Sequence, residues 1–311
     1  VAFCVDIGGS YMKFGLAQRG PDGRATAIQV DQVPTPSQSW PDFVAALARL
    51  VADHADAAEP DAPLAISTAG LVDPDSGILT TASNIPGIVG RRIAAELTGA
   101  LGRRVKVAND ADSFALAEAI VGAGRGKRVV FGIILGTGIG GGLVVDGRLI
   151  SGADGISGEW GHAPIAKPLV GSPPVKLPRF VCGCGQIGCI ETVGSARGLE
   201  RLDHHLSGET RDSRAIVTAW QAGEPAAVKT IDAYLELVSE PLALLVNTLG
   251  PHVIPVGGGL GSATALVAAL DLAVRQRILR RTEAPLLVPA ELGPNAGLVG
   301  AAVLALQEEP R

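Results

Sequence analysis

Leu135-Gly136-Thr137-Gly138-Ile139-Gly140-Gly141-Gly142 stands between the apolar runs Val129-Val130-Phe131-Gly132-Ile133-Ile134 and Leu143-Val144-Val145. The first run reads as a buried strand and the second as a strand returning from it. Five glycines in the seven residues from Gly136 to Gly142 are costly in backbone entropy for a plain turn. They suit a backbone that must approach a phosphate closely. No Lys-Ser or Lys-Thr comes after it, so this is not a Walker A loop. The stretch beyond Gly142 reads as strand rather than helix, so it is not a dinucleotide fingerprint either.

The chain opens on the same arrangement. Val1 to Val5 reads as a buried strand, Asp6-Ile7-Gly8-Gly9-Ser10 as a glycine turn and Lys13 to Ala17 as the return arm, with Ala27 to Val33 a third strand. Strand–helix units come next. Pro41 to His54 carries Phe43, Val44, Leu47, Leu50 and Val51 at helical spacing, Leu64 to Ser67 reads as strand and Arg91 to Leu101 as helix. Val105 to Ala108 reads as a strand feeding Asn109-Asp110 and a helix from Ala111 to Val121. Beyond the second glycine loop, residues 164–178 are rich in Pro, Gly and Ser and read as an inserted loop. A long helix is expected over 226–248, a strand at Val253 to Val256 ending in Gly257-Gly258-Gly259, and a helix after Gly261. The Ala-rich stretch from Asn295 to Leu306 is expected to be a helix packed back on the first lobe. The repeated strand, glycine turn and strand predict two related α/β lobes. Three glycine-rich strand ends point to a nucleoside triphosphate between them, with ordinary turns as the alternative.

A chain of 311 residues with 47% hydrophobic and 18% charged residues fits two domains with a substantial core. No apolar stretch reaches the length of a membrane span. The opening strand is too short, and lacks the basic start, for a signal peptide. A cytoplasmic setting is therefore expected, where thiols stay reduced. The net charge of −5 and the dispersed basic residues argue against nucleic-acid binding, which wants a basic face. Neither nucleic acid nor membrane is expected as a partner.

Three of the four cysteines fall in Cys182-Gly-Cys184-Gly-Gln-Ile-Gly-Cys189. Crowded thiolates in a glycine-broken loop suit a tetrahedral zinc ion better than a disulfide framework, which the rest of the chain does not show. A fourth ligand is available upstream in Gly158-Glu159-Trp160-Gly161-His162. Four protein ligands make such a metal structural, with no open position. Asp6 stands at a strand end where a carboxylate can hold a magnesium shell, and the Ser10 hydroxyl can donate to phosphate. Asp110, at a strand–helix junction, is a natural helix cap and also the position for a catalytic base. Glu159, His162 and Glu191 are either solvated surface or hydrogen-bond partners for the vicinal hydroxyls of a sugar.

Taken together, these motifs resemble the ROK family of sugar kinases and repressors, nearly end to end. The matching runs are Asp6-Ile-Gly-Gly-Ser, Asn109-Asp-Ala-Asp-Ser-Phe-Ala-Leu-Ala-Glu-Ala, Gly136-Thr-Gly-Ile-Gly-Gly-Gly, Gly158-Glu-Trp-Gly-His, Cys182 to Glu191 and Gly257-Gly-Gly. The resemblance implies an α/β, two-lobed, actin-like ATPase (ribonuclease H-like) fold with nucleotide and sugar in the interdomain cleft. The expected lobes are residues 1–110 plus 296–311, and residues 111–295. The resemblance makes Asp110 the base and puts Asn84, Asn109, Asp110, Glu159, His162 and Glu191 on the sugar. Asp6, Gly8, Gly9, Ser10, Gly136, Thr137, Gly138, Gly257, Gly258 and Gly259 fall to the nucleotide. His162, Cys182, Cys184 and Cys189 fall to structural Zn2+. It further implies ATP and Mg2+ as cofactors and a homodimer.

The long segment between His162 and Cys182 favours members of the family that phosphorylate the 6-hydroxyl of N-acetyl-D-glucosamine, with glucose and N-acetylmannosamine as alternatives. A Lys usual after the first phosphate loop is replaced by Tyr11, and Lys13 comes two residues later. The regulator branch needs a helix-turn-helix, for which the opening strand is expected to leave no room, so a sugar-responsive regulator lacking its DNA-binding domain is the remote alternative.

Overall fold

The computed structural model of the chain describes residues 1–82 and 84–307. Its contacts gather into two compact units. Unit 1 holds Val1–Gly126, Gly142–Ser157 and the chain from Leu292 onward; unit 2 holds Lys127–Gly141 and Gly158–Glu291.

In unit 1, β1 (Ala2–Ile7), β2 (Tyr11–Arg19) and β3 (Ala25–Pro34) make an antiparallel meander. Helix α1 (Trp40–Asp53) comes after it, with Ser39 accepting from the Asp42 amide and Pro in its first turn, both favourable at a helix start. Next come β4 (Leu64–Thr68), the small hairpin of β5 (Leu71–Val72) and β6 (Leu79–Thr81), helix α2 (Ile93–Leu101), β7 (Val105–Asn109) and helix α3 (Asp110–Ile120). The sheet order is β3-β2-β1-β4-β7, with β4 parallel to both β1 and β7. One core cluster joins Phe43, Leu47, Leu50 and Val51 of α1 to Phe3, Phe14, Leu64 and Ile66 of the sheet. Burying four such side chains stabilises the unit by about 1.5–3 kcal/mol each.

Strands β8 (Val129–Leu135), β9 (Ile139–Val145) and β10 (Arg148–Leu149) are next. The segment expected to be an irregular loop contains a hairpin, β11 (Leu169–Val170) with β12 (Val175–Lys176). Then come α4 (Glu191–Gly194), α5 (Ala196–Ser207), α6 (Ser213–Gln221), α7 (Pro225–Leu249), β13 (Ile254–Gly257), α8 (Gly258–Gly261), α9 (Thr264–Arg275) and β14 (Leu287–Pro289). The second sheet runs β10-β9-β8-β13-β14, the positional order of the first, and β8, β13 and β14 are parallel. The inserted hairpin is tied to α7: Gly171 donates its amide to Glu236 at 3.0 Å, and Lys167 pairs with Glu236 and Glu240.

The last helix, α10 (Ala296–Leu306), returns to unit 1 as expected. Its Leu298, Ala301, Ala302 and Ala305 pack on Ala2, Cys4, Ala17 and Ala65. Small residues on both sides let helix and sheet approach closely. Helix α10 also crosses α3, where a Cβ on Gly300 would collide with the carbonyl of Ser113. This packing puts α3 with unit 1, past the expected boundary after residue 110. No helix among the described residues is long and apolar enough to cross a membrane.

Candidate functional site

Unit 1 brings two carboxylates together. Asp6 is the penultimate residue of β1 and stands in register with Lys13 of β2. It accepts a hydrogen bond from the Ser67 hydroxyl of β4 at 3.0 Å. Burial raises its pKa above the ordinary carboxylate range, against the opposing pull of Ser67 and Lys13. Asp110 opens α3 with its outer edge open to solvent. Desolvation raises its pKa and the charge of Asp6 adds to the rise, while the Ala111 amide, donating to Oδ1 at 2.9 Å, works against it. Two acids of raised pKa side by side make a local excess of negative charge.

Asn109 serves as the α3 cap. Its Oδ1 accepts the amides of Ala111 at 2.8 Å and Asp112 at 3.4 Å, and its Nδ2 donates to the Gly70 carbonyl at 2.9 Å. A side-chain amide offers two donors and two acceptor lone pairs; besides the Gly70 carbonyl, this side chain also hydrogen-bonds the Asp110 carboxyl, which works against the rise of the Asp110 pKa. Asn84 is exposed and lies over the first glycine turn, where a Cβ on Gly9 would sit 2.9 Å from the Asn84 Cβ. In that turn the Gly8 amide donates to the Tyr11 carbonyl at 3.0 Å, and the Ser10 carbonyl accepts from Thr35. Two residues that sequence reasoning missed support this half: Ser67, and Gly297, where a Cβ would lie 2.5 Å from Asp6 Oδ1. The pattern of an Ala-rich helix gave no sign of the second.

Unit 2 brings the other two glycine loops together. Gly258 has φ +82°, and a Cβ there would lie 2.5 Å from the carbonyl oxygen of Leu135 and 2.8 Å from the amide nitrogen of Gly136. Only glycine meets both demands. The Gly136–Gly138 turn is closed by a bond from the Gly136 amide to the Gly138 carbonyl at 3.0 Å. Beside Gly259 opens a cavity of about 690 Å³, with Asp212, Arg214 and Thr218 on one wall and Ser262 and Thr264 on another. That volume is in the range of small-molecule sites. Its walls come from segments about fifty residues apart, so the pattern of neither one announced it.

The thiol cluster forms as expected. Ligand atoms of His162, Cys182, Cys184 and Cys189 all lie within 4.8 Å of one another. Cys184 Sγ and Cys189 Sγ are 3.7 Å apart, and Cys182 Sγ is 3.5 Å from His162 Nδ1. A tetrahedral zinc ion with Zn–S of about 2.3 Å and Zn–N of about 2.0 Å sets these edges at roughly 3.8 and 3.5 Å, so the donor set fits the ion. The Gln186 backbone amide draws the Cys184 thiol down to about 7, whereas burial pushes Cys189 up to about 12.

With Nδ1 aimed into the cluster, His162 Nε2 faces Glu159 Oε2 at 3.7 Å. Metal on Nδ1 would fix the proton on Nε2 and make that nitrogen a directed donor. Trp160, buried between Glu159 and His162 in sequence, pins this stretch by donating to the Gly140 carbonyl at 3.2 Å. Glu191 links the cluster to the glycine loop. Its Oε2 accepts the Ile139 amide at 2.9 Å, and Cys182 Sγ lies 3.7 Å from its Oε1. Glu191, expected on a sugar, holds the loop at the end of β8.

The sequence model describing the ROK family matches residues 2–308. The chain is 35% identical over 303 residues to the N-acetyl-D-glucosamine kinase of Pectobacterium atrosepticum, covering 97% of this chain and 98% of that protein. It is also 35% identical over 300 residues to the N-acetylgalactosamine kinase AgaK of Shewanella sp. strain ANA-3, covering 96% and 95%. Among solved structures, a ROK family glucokinase from Streptomyces griseus, in complex with glucose and AMPPNP, superposes with a TM-score of 0.72 at 28% identity, covering 99% of each chain.

Proposed function

The chain belongs to the ROK family, and from that premise we propose that it is an ATP-dependent kinase acting on the 6-hydroxyl of N-acetyl-D-glucosamine. One observation carries the chemistry. Asp110 is an acid of raised pKa with an open edge and one oxygen bonded to a backbone amide. A base poised in this way can take the hydroxyl proton as the sugar oxygen attacks the γ-phosphorus. The phosphoryl group leaves ADP and joins the sugar oxygen, and the proton passes to Asp110.

The remaining residues position groups and balance charge. The backbone at Gly8, Gly9 and Ser10 and at Gly136, Thr137 and Gly138 is assigned to the phosphates. The cavity beside Gly257, Gly258 and Gly259 is assigned to the nucleoside. The two acids Asp6 and Asp110, of which Lys13 opposes only one, suit a divalent cation, and Asp6 is assigned to the Mg2+ that accompanies ATP. Asn84, Asn109, Glu159, His162 Nε2 and Glu191 are assigned to sugar hydroxyls. Zn2+ on His162, Cys182, Cys184 and Cys189 would brace this wall and supply no catalytic position.

The sugar is read from the similarity to the Pectobacterium kinase and from the long segment between His162 and Cys182. The equal identity to the Shewanella kinase favours N-acetylgalactosamine as the second reading. Phosphorylation rates measured side by side on both amino sugars, N-acetylmannosamine and glucose test the assignment. N-acetylglucosamine is expected to give the highest kcat/KM. A large advantage for any other sugar overturns the substrate, and no sugar-dependent ATP consumption overturns the kinase.

A further inference from the structure

Helix α6 supplies the outer wall of the nucleoside cavity, yet only Ile216 and Val217 of its nine residues are buried. So small an apolar face gives it little hold, and a polar clamp just before its first turn supplies more. Arg211 donates from Nε and Nη2 to the two oxygens of Asp203, each at 2.9 Å, and from Nη1 to Glu224 Oε1 at 2.6 Å. Glu209 approaches Arg211 Nε at 3.2 Å. Asp203, on α5, is fully buried and also accepts the Thr230 hydroxyl of α7 at 2.7 Å. One guanidinium thus fastens the α5–α6 loop to α5 on one side and to the lead-in of α7 on the other. Bidentate pairing with a carboxylate fixes direction as well as distance. The residue after Arg211 is Asp212, which caps α6 by accepting the Ala215 amide at 2.7 Å and lines the cavity. Arg214 and Thr218 lie further along the same wall.

We propose that Arg211 is the positioning residue of the nucleotide pocket: the fork it makes with Asp203 and Glu224 sets where α6 begins, and with it the wall against which the nucleoside packs. The proposal rests on the assignment of this cavity to ATP. Asp203, Arg211 and Glu224 do not line the cavity, and they lie in a stretch that none of the expected site motifs covers. Its loss displaces a wall used by the nucleotide and leaves Asp110 and the thiol cluster as they are.

Steady-state kinetics separate this role from general support of the fold. In Arg211→Met the KM for ATP is expected to rise on the order of ten-fold, which is about 1.4 kcal/mol. The kcat at saturating ATP, the KM for the sugar and the bound zinc should stay within about two-fold of the wild type. Arg211→Lys keeps the charge without the fork and should fall between the two. Glu224→Ala removes one arm from the exposed side, so it tests the same point if Arg211→Met does not fold, and a smaller rise in the KM for ATP is expected. An unchanged KM for ATP in the folded variants overturns the proposal, as does a loss spread equally over both substrates and kcat. Thr218→Trp, which fills the cavity, tests the underlying assignment by ATP binding measured calorimetrically. Undiminished ATP binding there sinks the assignment, and the proposal with it. Blocked binding in Thr218→Trp, with no change in the folded clamp variants, sinks the proposal alone.

Discussion

Asp110 lies close enough to Asp6 for the Asp6 charge to raise its pKa, and desolvation raises both acids. A carboxylate whose pKa is higher in the folded state binds more protons there than in the unfolded chain. Stability is then lost as pH rises from the unfolded value near 3.8 through the folded one. At neutral pH the two acids therefore work against the fold, as groups kept for function often do. Asp110→Asn is expected to raise the melting temperature at pH 7 and to flatten its fall between the unfolded and folded pKa. It should also lower kcat on the order of a hundred-fold or more through loss of the base. Thermal melts across that pH range, beside kcat at saturating substrates, check both. A melting temperature unchanged at pH 7 contradicts the electrostatic reading, and full activity contradicts the base. Cys184→Ser is expected to lose the metal, measured by atomic emission. The bonds of Glu191 carry that damage further than a separate brace would. Its Ile139 contact should loosen, so the KM for ATP is expected to rise along with that for the sugar.

At the scale of elements, the two demands on Gly258 give a sharp expectation. Gly258→Ala must relieve both a left-handed backbone and a Cβ 2.5 Å from the Leu135 oxygen. A cost of about 1–3 kcal/mol is expected from the backbone alone, read as a lower denaturant midpoint. A metal on the thiol cluster would close the segment from residue 163 to 181 at both ends, through His162 and Cys182. Chelation should therefore speed proteolysis within that segment, while the ties of Lys167 and Gly171 to α7 protect its middle. Uniform resistance with and without chelator would contradict this. The strands flanking the glycine loops and the long helices were legible because each buries a full apolar face or stripe. Helices α5 and α6 were not, since each buries few apolar side chains and is fixed by ion pairs such as Asp203 with Arg211. Asp110 and the thiol ligands could be named from adjacency in sequence. Gly297 and the cavity could not, because both depend on segments that meet only in the fold.

At the scale of the molecule, two sheets of like strand order are each completed by chain from elsewhere in the sequence. The alanine seam between α10 and the first sheet has no room to give. Ala302→Leu is expected to cost about 1–3 kcal/mol by overpacking. Hydrogen exchange should report the loss in β1, β4 and α10, with the amides around the thiol cluster unaffected. Loss of protection spread evenly over the chain would contradict that division. The same seam has a consequence for synthesis. Strand β1 (Ala2–Ile7) is made long before the helix that covers its far side (Ala296–Leu306). While residues in between are being translated, the alanine face of the first sheet has no partner within its own chain. The first unit therefore cannot close before residues 296–306 are made. Domains commonly fold in the order they are synthesised, but here the second unit can be complete before the first. A nascent chain released before residue 296 should be bound by chaperones through that bare face, however well its second unit has formed.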